Sequence, residues 1–78
     1  MTLYEYKILP DNIQYEIIWD EGNYIDSRIT DNCKINLYAI DMFYVEVYFD
    51  LTTNAAIKKV SFKYGERLDH YSNISKSM

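Results

Sequence analysis

Two glycines, one proline, one cysteine and one histidine are all that this 78-residue chain contains of those types, and no apolar run in it is long. Each shortage closes a class of mechanism. With Cys33 alone, no disulfide can form within the chain. Cys33 and His70 together cannot supply the four soft ligands of a structural zinc site, so no metal or cofactor is expected. Gly22 and Gly65 are too few for a phosphate-cradling loop. No segment approaches the length of a membrane span. The opening "MTLYEYKILP" lacks the basic and continuous apolar stretches of a signal peptide. An unpaired cysteine fits a reducing compartment, so a cytoplasmic location is expected, and Asn73-Ile74-Ser75 reads as a chance glycosylation triplet.

What the chain has in quantity is aromatic and acidic. It is 49% hydrophobic and 17% aromatic, with nine tyrosines and a net charge of −4. The length allows one domain, residues 1–78, with a frayed polar tail over 75–78. Folding at this size buries only about 60% of the unfolded surface. Some aromatic surface should therefore meet another molecule, and a homo-oligomer paired through a sheet edge is expected. The first fifty residues hold most of the acids against Lys7, Arg28 and Lys34, whereas Lys58, Lys59, Lys63, Arg67 and Lys76 make the remainder mildly basic. Such a dipolar molecule can steer a charged partner. Clustered cations for duplex nucleic acid are missing, so direct nucleic-acid binding is not expected, although an acidic surface could imitate nucleic acid.

Alternation runs through much of the chain. "LYEYKIL" (residues 3–9) and "IQYEIIW" (13–19) both read as strands, the second with Ile13, Tyr15, Ile17 and Trp19 inward and Ile18 outward. Pro10-Asp11-Asn12 breaks them apart, and Gly22 suits a turn needing positive φ. "YIDSRIT" places Ile25 and Ile29 opposite Asp26 and Arg28. "CKINLYAI" has two phases, Ile35 and Leu37 against Tyr38 and Ile40, which a bulge or turn near residues 39–42 would reconcile. "FYVEVYFD" (43–50) alternates most regularly, and "AIKKVSFKY" directs Val60, Phe62 and Tyr64 inward. Beyond Gly65, Leu68 and Tyr71 recur at helical spacing. The expected fold is mainly β: one antiparallel meander of five or six short strands, curled into a roll or half-barrel, with a short C-terminal helix.

A four-residue loop over 51–54 would register the last hairpin so that Val45 meets Val60 and Phe43 meets Phe62. Its outer face would then carry Tyr44, Glu46, Tyr48, Ile57 and Lys59, with Glu46 paired to Lys59. These five form the expected interface, two aromatics and an aliphatic around an ion pair. From Ile35 to Ile74, the features "FYVEVYFD", the loop ending at Asn54, "IKKVSF" and "LDHY" resemble small bacterial β-rich proteins without assigned function. That resemblance implies no activity.

Catalytic templates fit poorly. Cys33 reads as an inert small residue, His70 as an exposed or satisfied hydrogen bonder, and no acid lies in an apolar stretch that would raise its pKa. The residues therefore point to a non-enzymatic protein acting through protein–protein contact, as an inhibitor, immunity-like or accessory module. The alternative is a small-molecule or nucleotide binder whose aromatic pocket would be lined by Tyr15, Trp19 and Tyr38.

Overall fold

Thr2 begins the chain's first helix, because its side chain and that of Glu5 satisfy each other's backbone. In the computed structural model, which describes residues 1–63, Glu5 N–H donates to Thr2 Oγ1 at 3.1 Å and Thr2 N–H donates to Glu5 Oε1 at 2.8 Å. This capping box opens α1 (Leu3–Lys7), and Pro10 precedes α2 (Asp11–Glu21). Gln14 Nε2 donates to the carbonyls of Tyr6 and Leu9 at 3.0 and 3.1 Å, tying α2 to acceptors at the end of α1.

Both helices replace expected strands. Burial shows why alternation misled: Ile18, assigned to the wet side, is the deepest residue of α2, while Trp19, assigned inward, is half-exposed. In α2 the packed residues Tyr15 and Ile18 are three apart, the spacing of one helix face.

The sheet that follows is a four-stranded antiparallel meander in the order β1 (Asn23–Ile29), β2 (Cys33–Ile40), β3 (Phe43–Asp50), β4 (Ala56–Lys63). Among the described residues, four strands form one open sheet where five or six in a roll were expected, since Leu3–Lys7 and Asp11–Glu21 are helices. The expected C-terminal helix and frayed tail fall, with Tyr64, Leu68, His70 and Tyr71, outside the described residues.

Both phases of "CKINLYAI" are real. Tyr38 and Ile40 share the helix-covered face with Phe43, Val45 and Val47, while Ile35 and Leu37 lie on the opposite face. Asp41 at φ 50° makes the two-residue turn between β2 and β3, a conformation aspartate tolerates. Tyr6, Ile18, Ile40, Phe43, Val45 and Val47 form the core under the helices. On the opposite face Leu37 and Phe62 are buried together, with Ile25 and Tyr44 against them. A bulge between Tyr24 and Asp26 turns Ile25 to that side, so Ile25 and Ile29 do not share a face as the alternation implied.

The β3–β4 hairpin starts in the expected register and then leaves it. Phe49 opposes Ala56 as parity requires, but Tyr48 opposes Lys58, so Ile57 is an extra residue in a β-bulge. Every later pair is shifted by one: Glu46 meets Val60 and Tyr44 meets Phe62. A one-residue slip exchanges the faces of a strand. Val60 and Phe62 thereby join Glu46, and Lys59 moves beneath the helices.

At the β3 end of the loop, Asp50 Oδ1 accepts N–H groups from Thr52 (2.7 Å) and Thr53 (3.0 Å). Those two bonds hold its carboxyl below the usual aspartate value. A depressed folded-state pKa contributes stability above the unfolded pKa, and that contribution is lost as pH falls through the folded value. Acid titration followed by NMR should place the Asp50 midpoint below that of an unstructured aspartate, with the Thr52 and Thr53 amides shifting together across it. A midpoint at the ordinary value would show that the turn does not hold the carboxylate.

Gly22 terminates α2 with φ −72° and ψ 137°, so positive φ is not its role. Space is the constraint, because a Cβ there would lie 2.5 Å from the carbonyl oxygen of Ile18 and 3.4 Å from Cβ of Tyr38. Gly22→Ala should destabilise by about 1–3 kcal/mol, the usual cost of forced overpacking. Chemical denaturation checks this, and an unchanged midpoint would mean that the helix end moves aside freely.

Candidate functional site

The five residues expected to form one interface are divided by the bulge. Tyr44, Glu46 and Tyr48 lie on the face opposite the helices; Lys59 lies beneath α2, and Ile57 is the exposed bulge residue. The expected Glu46–Lys59 ion pair is corrected accordingly. Lys59 Nζ pairs with Asp11 and sits 4.4 Å from the centroid of the Tyr15 ring. Glu46, 0% exposed, has Arg28 Nη2 3.7 Å from Oε2, and Tyr48 OH donates to Oε1 at 3.5 Å. Arg28 on β1 reaches across β2 to do this, a link between non-neighbouring strands that alternation cannot reveal.

Tyr44 and Tyr48 are half-buried, not water-facing. Tyr44 stacks on Phe62 with centroids 5.8 Å apart, and Lys58 Nζ lies 4.4 Å above the Tyr48 ring. Leu68 and Tyr71, expected at helical spacing beyond Gly65, lie outside the described residues.

A second group of aromatics is more open. On α2, Tyr15 and Trp19 are one turn apart and stack with centroids at 5.9 Å. Trp19 meets Tyr38 of β2 edge-on at 6.0 Å and Phe49 of β3 at 6.3 Å, and Tyr38 meets Tyr24 of β1 at 6.0 Å. Hydrogen bonds fix the rims: Asn36 Nδ2 donates to Tyr38 OH at 3.2 Å, and Tyr24 OH donates to Ser27 Oγ at 3.0 Å. Trp19 is nevertheless 49% exposed and Tyr24 57%. The helices pack over β2 and β4, and exposed Ile29 continues the open surface along β1.

Tyr15, Trp19 and Tyr38, the expected pocket residues, are thus brought together. Trp19 joins them, meeting the Tyr15 ring on one side and the Tyr38 ring on the other. Tyr24 and Phe49 complete the cluster and were missed; the signal was the Tyr15–Trp19 spacing, which joins the two rings only if residues 11–21 are helical. The Tyr15 phenol is pushed up by burial and then by the Asp11 carboxylate, so it stays protonated at neutral pH.

Glu16 and Asp20 are exposed acids on α2 next in sequence to Tyr15 and Trp19, whereas Glu21 interacts with the Met1 ammonium. Lys34, opposite Phe49, bounds the surface at its far end. A separate shallow cleft of ≈ 300 Å³ lies between α1 and β4, lined by Thr2, Leu3, Tyr4, Lys7 and Lys63. Among the described residues no three His, Cys, Asp or Glu gather to hold a metal ion, and no helix is long and apolar enough to cross a membrane. Cys33 opens β2, where its N–H donates to Thr30 Oγ1 at 3.2 Å; His70 lies outside the described residues. Comparison with protein-family models, curated proteins and solved structures found no match.

Proposed function

We propose that this chain is a non-enzymatic cytoplasmic module that acts through protein–protein contact, as an inhibitor, immunity-like or accessory component, and that the Trp19–Tyr24–Tyr38 surface makes the contact. The observation carrying this reading is that Trp19 and Tyr24 are about half exposed although each is held by ring contacts from below. Ordered, amphipathic rings bind at little entropic cost, which is why tryptophan and tyrosine dominate binding hot spots. Tyr44 and Tyr48, with their half-buried rings, move to a supporting role.

Capture from host lysate by the wild-type chain and by Trp19→Ser/Tyr24→Ser tests the reading. A specific partner should be retained by the first and lost by the second, with both proteins folded by circular dichroism. Equal capture by both would overturn it. The second reading, a small-molecule or nucleotide site at Tyr15, Trp19 and Tyr38, is favoured only by the meeting of those rings. Native mass spectrometry showing a bound metabolite, lost in Trp19→Ser, would select it instead.

Self-association belongs to the same proposal. Among the described residues β4 is an edge strand, and Lys58 and Lys63 on it discourage pairing, as edge lysines generally do. The β1 edge exposes Tyr24 and Ile29, so it is the edge for a second copy. Sedimentation showing one monomeric species throughout the micromolar range would remove this part.

A further inference from the structure

We propose that the helical layer, residues 1–21, exchanges between two copies of this chain, so that each sheet is covered by the α1–α2 pair of the other copy. This rests on the self-association proposed above and names what the second copy supplies. The layer is a unit of its own: the Thr2–Glu5 capping box opens it, and Gln14 Nε2 ties α2 to the carbonyls of Tyr6 and Leu9. Among the described residues no backbone hydrogen bond joins it to the sheet. Side chains hold it there: Tyr6 and Ile18 in the core, Asp11 against Lys59, and the Met1 ammonium against Asp41.

Gly22 is the whole connection between α2 and β1, one residue long. Short hinges invite exchange, and glycine takes up the torsions of an opened hinge at no steric cost. The junction lies at β1, an edge of the sheet among the described residues, so no described strand stands in the path of a layer that swings out there. Opening strips Ile40, Phe43, Val45 and Val47 of their cover. An apolar face of that kind does not stay bare. Its fit is already defined by the chain's own helices, and a second copy brings an identical layer. Every contact is then remade between chains, which is why exchange is a low-cost route to a dimer.

Exchange also makes the aromatic surface composite. Tyr15 and Trp19 come from one chain, and Tyr24, Tyr38 and Phe49 from the other. Trp19 precedes the hinge by three residues and Tyr24 follows it by two. These half-exposed rings therefore stand where the two hinges of a dimer run side by side.

The Lys59–Asp11 ion pair reports which chain covers which sheet. A water-soluble carbodiimide condenses a carboxylate with an amine touching it, forming an amide and taking up the water lost. Ordinary and isotopically heavy chains, mixed in urea and refolded together at high concentration, should give a monomer and a dimer separable by size exclusion. After cross-linking, the Asp11–Lys59 peptides of the dimer should include heavy–light pairs by mass spectrometry, and those of the monomer should not. Gly22→Ala should raise the dimer share on the order of tenfold, because the 2.5 Å approach of its Cβ to the Ile18 carbonyl oxygen belongs to the closed junction. A dimer with same-label pairs only overturns the exchange and leaves edge pairing standing. Absence of any dimer overturns exchange and self-association together. An unchanged dimer share in folded Gly22→Ala would also overturn the exchange, and the wild-type cross-link decides the matter whether or not that variant folds.

Discussion

Arg28→Met should lower stability by about 3 kcal/mol, a large share of the roughly 3–5 kcal/mol that a single core this small supplies. The argument begins with Glu46, a carboxylate at 0% exposure on the central strand β3. Burying an ion is costly, and attraction to an opposite charge with further hydrogen bonds is what offsets that cost. The Arg28 guanidinium supplies the charge at 3.7 Å, and its own 30% exposure places the effect at the lower end of the usual range for broken buried pairs. Replacing both partners removes the conflict, so Arg28→Met/Glu46→Met should be more stable than either single variant. Urea unfolding monitored by Trp19 emission gives all three midpoints. If Arg28→Met melts like the wild type, the pair contributes nothing and Glu46 is held by other means.

The second large effect is expected at Phe43. Its ring is fully buried under α1, tilted 48° against Tyr6 with centroids 5.2 Å apart. Truncation to alanine removes the transfer energy of the ring and leaves a cavity that helix and sheet can only partly close. Phe→Ala changes of this kind cost about 3–5 kcal/mol, so Phe43→Ala should be largely unfolded at 25 °C by circular dichroism. Tyr6→Phe should behave oppositely. The Tyr6 hydroxyl is buried with no hydrogen-bond partner among the described residues, and burial with the nearby Asp11 pushes its phenol pKa well up. Removing that oxygen keeps the contact with Phe43 and should gain about 1 kcal/mol. A folded Phe43→Ala, or a destabilised Tyr6→Phe, would mean that the core under α1 is organised differently.

These two positions illustrate what could be read in advance. Phe43 was legible, because strict alternation from Phe43 to Phe49 puts it on a core face whatever surrounds the strand. The meander order, the turns at Asp31-Asn32 and Leu51–Asn54, and the exclusion of an intrachain disulfide follow from local chemistry in the same way. Arg28 as the partner of Glu46 was not legible, since the two are eighteen residues and two strands apart.

Local pattern therefore determined which segments of the second half are strands and how they follow one another. Tertiary structure decided three other matters. It made Leu3–Lys7 and Asp11–Glu21 helical, because the sheet needed a covering layer and Tyr6 with Ile18 could provide one only at helical spacing. It buried both faces of β2, so that two conflicting phases were each correct. It also placed one extra residue, Ile57, in the last hairpin, sending Lys59 to Asp11 and Val60 to Glu46. A strand's own alternation says which side chains share a face, but not which face is covered or where the register slips; those depend on the side chains that distant elements bring to be buried.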